Sequence, residues 1–301
     1  MPDEDKKHYF DPDNKRICEL FPLDGVESKV GFLYEQMKAF SPNVVISIGD
    51  YYEMSFIYEI KRAYPSLFRW IGIITPRSLP FQPSYKEQID YLDYAFLTSK
   101  DGLSAFTKFC NVPCSYQPFW SLGPETNFQI PETNNSLRII ACSKNSQQTN
   151  IGVLVSCLGQ FLDQYEDVEA YIHTNINDEG DYNLENLLSR YDPSHHIAIP
   201  SEFVTFYDGV SNHVLFDKFS KSDVFIDCSL TSATALSAFE AVSAGCLPIL
   251  VNRGASADLL QQLPESVPFS LSPIEFLGER EGLLYMVSQL SLIHISEPTR
   301  P

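Results

Sequence analysis

Apolar positions along this 301-residue chain fall into short continuous runs, separated by segments with helical spacing. Residues 43–50, NVVISIGD, are rich in β-branched side chains and close on Gly49 and Asp50, which predicts a buried strand. The runs at 68–75 (FRWIGIIT) and 94–99 (YAFLTS) predict two more strands. Between and around them, residues 30–40, 52–64, 85–93 and 100–110 place apolar side chains three and four apart, the spacing of one helix face. The first helix stops at Ser41-Pro42 and the second at Pro65, because proline cannot continue a helix. The last is expected to start through an Asp101-Gly102 turn, and residues 112–119 read as extended. Residues 76–84 are too proline-rich and polar for core, so they read as a loop.

The alternation restarts in the second half. Strands are expected at 137–143, 167–175, within 196–204, at 223–229 and at 247–252. Helices are expected at 149–165, 183–191, 211–222 and 233–244, the first capped by Thr149 or Asn150. Helix–strand alternation in both halves predicts parallel sheets covered by helices. The reading is α/β, with two Rossmann-like domains facing across a cleft and an incomplete N-terminal domain. Its expected parts are a polar tail at 1–28 without regular elements, an N-terminal acceptor domain at 29–120, a linker at 121–136 and a C-terminal nucleotide-sugar-binding domain at 137–290. Residues 291–301 break the pattern and resemble translated vector or adapter sequence, so they are left out of the fold reading.

Charge narrows the choice of partners. The net charge of −18 offers no basic surplus for a phosphate backbone, which argues against nucleic acid. The seven cysteines are scattered without metal-ligand spacing and read as reduced thiols in the cytoplasm. No apolar run is long enough to span a membrane.

The candidate chemistry lies at 222–260. A strand ends at Ser229, a loop carries Thr231, Ser232 and Thr234, and a helix follows with Glu240 inside it. A helix start beside hydroxyls is a ready anion site. The block Glu240, Ala241, Ala244, Gly245, Pro248, Ile249 resembles the donor-binding motif of the group 1 retaining glycosyltransferases, a family with the two-domain GT-B fold. Residues 137–155 and 217–229 resemble the same family's donor domain, and the resemblance extends over about residues 40 to 260. It implies a nucleotide diphosphate sugar as donor substrate and transfer with retention. It implies no metal or other cofactor, and an acceptor that is a glycan, lipid or protein. Glu240 would accept hydrogen bonds from the ribose hydroxyls. Thr231, Ser232 and Thr234 would hold the diphosphate, and Lys144 would neutralise charge on the leaving group. No catalytic residue is assigned. Two departures stand out: Ser232 occupies the position of the family's first acidic residue, and no histidine lies between Tyr9 and Ile172. These motivate a second reading, an inactive GT-B-like binding or scaffold module. His173 at a strand end is an outside candidate, whereas His195 and His196 read as an exposed turn and Asp223 as a strand start.

Overall fold

The computed structural model describes residues 7–10, 16–20, 28–118, 136–176, 181–200, 210, 212–263, 267–269, 275–280 and 283–287. The chain opens with an antiparallel hairpin, β1 (Lys7–Phe10) and β2 (Arg16–Leu20), where no element was expected. Its two β-prone runs flank Asp11-Pro12-Asp13-Asn14, a turn-forming sequence that polar composition masks. The N-terminal domain then runs α1 (Lys29–Phe40), β3 (Val44–Gly49), α2 (Ser55–Ala63), β4 (Arg69–Ile74), α3 (Lys86–Asp90), β5 (Tyr94–Leu97), α4 (Lys100–Phe109) and β6 (Cys114–Tyr116). Its four strands are parallel in the order β3-β4-β5-β6.

The C-terminal domain runs β7 (Leu137–Cys142), α5 (Ile151–Leu162), β8 (Val168–His173), α6 (Leu184–Tyr191), β9 (Ile197–Ala198), α7 (Asn212–Ser220), β10 (Val224–Asp227), α8 (Leu236–Ser243), β11 (Leu247–Val251), α9 (Gly254–Leu260) and β12 (Val267–Phe269). Its parallel sheet has the order β12-β11-β10-β7-β8-β9, so the connection reverses direction between β7 and β10. This is the doubly wound Rossmann order, in which ligands bind outside the carboxyl ends of the strands at the reversal. The sheet has six strands, against the five expected, because β12 carries only three residues, one of them Pro268. A second hairpin, β13 (Glu275–Arg280) and β14 (Leu283–Val287), follows. The expected linker at 121–136 lies outside the described residues apart from Ser136, as does 291–301. Among the described residues no helix is long and apolar enough to cross a membrane.

Both sheets start their strands with the same device. Asp93, just before β5, accepts from the Trp70 amide at 2.8 Å and returns its own amide to the Trp70 carbonyl. Asp223, just before β10, does the same with Arg138, at 2.8 Å in both directions. Asp93 also binds Lys61 and Arg69, and Asp223 also binds the Arg138 guanidinium. Partial burial alone would raise both carboxyls, but these hydrogen bonds and charges outweigh it and hold them below the usual range.

Two local expectations are corrected. β3 is not a buried strand: Val44, Ile46 and Ile48 stand on one exposed face, Ile48 at 62%. The strand lies at the edge of its sheet, and an apolar run reads the same whether one face is covered or two. α4 starts on Ser99, whose hydroxyl accepts from the Gly102 amide at 3.0 Å, so Asp101 and Gly102 lie inside its first turn.

Candidate functional site

The loops after β7 and β10 meet at the reversal point of the C-terminal sheet. The first, residues 143–150, carries Lys144. It is folded on itself by the Thr149 hydroxyl, which donates to the Lys144 carbonyl at 2.5 Å, and pinned laterally by Asn145, which donates to the Tyr182 carbonyl at 2.8 Å. The Lys144 side chain is exposed, and its ammonium has no partner among the described residues. The second loop, residues 228–235, is tied to the first by the Leu230 amide, which donates to the Gln148 carbonyl at 2.9 Å.

Both helices that leave these loops start through a left-handed residue, Asn150 with φ 57° and Ala235 with φ 52°, and neither has a side-chain cap. Asn150 therefore stands at the expected position without capping, and its buried side-chain nitrogen has no partner among the described residues. Ala235 delays α8 to Leu236, which puts Glu240 in the second turn, nearer its start than the sequence suggested. Among the described residues, the first amides of α8 thus have no side-chain acceptor at the edge of the crevice.

Glu240 is half-buried and stands by Cys142 at the end of β7. Burial pushes the Cys142 thiol up to about 11. The Ser237 hydroxyl draws it down, while the Glu240 and Asp227 carboxylates push it further up. Asp227, at the end of β10, is itself held up by burial although the Ser229 amide and hydroxyl both donate to it. Gly245, in the same motif, has a structural task. With φ 99° it ends α8 in a left-handed turn, its amide bonds the Val242 carbonyl and the Cys246 amide bonds the Ala241 carbonyl, each at 3.0 Å. His173 sits at the end of β8 against the Tyr171 hydroxyl at 3.1 Å; burial, with Lys218 nearby, lowers its pKa.

The N-terminal domain presses on this site from the carboxyl ends of its own strands. The Thr231 hydroxyl donates to the Arg77 carbonyl at 2.5 Å and accepts from the Gln148 amide at 3.3 Å. The Thr98 hydroxyl donates to the Ala233 carbonyl at 2.6 Å. The Ser232 carbonyl accepts from the Ala255 amide at 2.9 Å, and a Cβ on Gly254 would come within 2.5 Å of the same oxygen. Alongside, α4 and α9 cap one another: the Lys100 amide donates to the Asp258 carboxylate at 2.9 Å, and the Gly254 amide to the Asp101 carboxylate at 3.1 Å. Residue pattern brought out Ser232, Thr231, Thr234 and Lys144, which the fold places on two adjoining loops, and Glu240, which it places in the second turn of α8. It missed Arg77, Thr98 and Gln148, whose partners lie far away in sequence. Thr98 belongs to a stretch that already resembles the family. Among the described residues no three His, Cys, Asp or Glu side chains form a metal-binding set.

No protein-family model matches the sequence, and no curated protein matches it either. Solved structures do. A sucrose-phosphate synthase from Thermosynechococcus elongatus superposes with a TM-score of 0.68 at 12% identity, covering 89% of this chain and 73% of that one. A UDP-forming alpha,alpha-trehalose-phosphate synthase from Burkholderia xenovorans, in complex with glucose-6-phosphate, gives 0.63 at 13% identity. A lipopolysaccharide outer core galactosyltransferase gives 0.56 at 16% identity. Each of the last two matches covers 80% of this chain, which spans 65% of the other protein's length. With two parallel Rossmann-like sheets meeting at their carboxyl edges, the chain has the GT-B fold of these glycosyltransferases.

Proposed function

We propose that this chain is the catalytic body, or part of it, of a retaining glycosyltransferase that takes a sugar from a nucleotide diphosphate sugar. The observation that carries the reading is the reversal-point crevice, where the start of α8 without a side-chain cap, the Lys144 loop and Glu240 adjoin. A diphosphate suits the first two, because helix amides and an ammonium both favour negative charge. Glu240, one turn further in, would accept from the ribose hydroxyls. As the sugar–phosphate bond breaks, charge grows on the departing nucleoside diphosphate. The helix start and Lys144 would stabilise it without a metal ion. Thr231 is engaged by Arg77 and Gln148, so Ser232 and Thr234 are the better hydroxyl candidates for the phosphates. The acceptor, whether glycan, lipid or protein, would approach from the N-terminal domain.

Calorimetric titration with UDP-glucose, ADP-glucose and GDP-glucose tests the donor site. At least one should bind, and Glu240→Ala should weaken it by about tenfold to a hundredfold, the loss of a hydrogen bond to a charged group. Unchanged affinity in the variant would remove Glu240 from the site. A second reading, a donor-binding module without transfer, rests on Ser232 standing in the place of an acidic residue. Binding without release of nucleoside diphosphate across an acceptor panel would favour it.

A further inference from the structure

We infer that Thr98, in the N-terminal domain, is a positioning residue for the phosphate-facing loop of the other domain; the inference rests on the donor-site reading above. The loop at 230–235 holds a conformation it does not favour by itself, since Ala235 is left-handed without being glycine. Five hydrogen bonds hold it there. Three come from its own domain: the Leu230 amide donates to the Gln148 carbonyl, the Gln148 side-chain amide to the Thr231 hydroxyl, and the Ala255 amide to the Ser232 carbonyl. Two cross the cleft, to the Arg77 carbonyl and from the Thr98 hydroxyl.

The Thr98 bond decides the direction of a peptide plane. In a trans peptide the carbonyl and the following amide point opposite ways. The Ala233 carbonyl is drawn toward Thr98, so the Thr234 amide is turned away from it. The Ser232 carbonyl is drawn toward Ala255, so the Ala233 amide is turned away likewise. Neither amide has a hydrogen-bond partner among the described residues. With the start of α8 they leave a succession of backbone donors along the loop, the element from which anion-binding concavities are built. Thr98 is suited to hold this arrangement. It is 1% exposed, and its hydroxyl lies 2.6 Å from the Ala233 carbonyl against 3.3 Å from Ile74, so its single proton serves the contact across the cleft. Closure of the two domains would therefore complete the phosphate site in addition to covering it.

The test uses the whole chain, with inorganic pyrophosphate as a probe independent of the base and UDP, ADP and GDP beside it. Thr98→Val keeps the shape and removes the donor, and Thr98→Ser restores the donor. The expected result is pyrophosphate affinity reduced about fivefold in Thr98→Val, and wild-type affinity in Thr98→Ser. Glu240→Ala should weaken the nucleotides about tenfold to a hundredfold. If the wild type binds neither pyrophosphate nor nucleotides, the donor-site reading itself fails. If it binds them and Thr98→Val binds equally well, only the role of Thr98 is overturned. Thr98→Cys, a poorer donor of similar size, carries the same expectation and decides the matter should Thr98→Val not fold.

Discussion

Asp50 has an environment that its sequence context does not announce. It reads as a turn residue closing β3, yet it is fully buried, accepting from the Tyr51 amide at 2.7 Å and the Arg77 amide at 2.8 Å. Burial pushes its carboxyl up to about 6, against the pull of those two amides. The folded value thus lies above the unfolded one of about 4, and the folded state binds more protons between them. Its contribution to stability is full below about pH 4 and lost as pH rises through about 6, a difference of about 3 kcal/mol. Denaturant titrations across this range should show wild type losing stability relative to Asp50→Asn as pH rises. A parallel pair of curves would show that Asp50 titrates normally. Because Arg77 also contacts Thr231 through its carbonyl, this carboxyl is two hydrogen bonds from the loop at 230–235.

Among the elements, most strands and helices were legible because continuous apolar runs and helical spacing survive without tertiary context. The misses have particular causes. α9 is seven residues long and starts on a glycine, leaving no periodic stretch to read. The start of α8 was placed early because nothing in an alanine announces a left-handed conformation. Of the candidate site, the motif points to Glu240 and the hydroxyls, whereas Thr98 and Arg77 reach the loop only through contacts across the cleft, which no local pattern announces. The paired aspartates before β5 and β10 make the same strand contact and differ in what else depends on them. Asp93 neutralises Lys61, which is 6% exposed, whereas Asp223 faces an arginine. Asp93→Asn should therefore cost about 3 kcal/mol or more, leaving a buried ammonium without its counter-ion. Asp223→Asn should cost about 2 kcal/mol, the loss of charged hydrogen bonds. Urea unfolding of the two variants measures the difference, and an equal cost would mean that Lys61 finds water on losing Asp93.

At the scale of the molecule, two sheets with different surroundings are joined through their carboxyl edges. The six-stranded sheet has its first strand, β7, at its centre, whereas the first strand of the four-stranded sheet, β3, stands at the edge with an apolar face exposed. Among the described residues, several hydrogen bonds between the domains engage a backbone amide or carbonyl. Its most regular part is the exchange between α4 and α9, in which each helix takes an acceptor for its first amide from the other domain. Neither helix start is completed by that acceptor until the opposite half has folded, so the exchange couples two folding equilibria. Calorimetric unfolding of the intact chain should show one transition with matching calorimetric and van't Hoff enthalpies. Asp101→Ala with Asp258→Ala, which removes both acceptors, should split it in two, and a single unbroken transition in the double variant would place the coupling elsewhere. Exchanged caps of this kind would make two domains melt as one cooperative unit, because each helix start draws an acceptor from the opposite half.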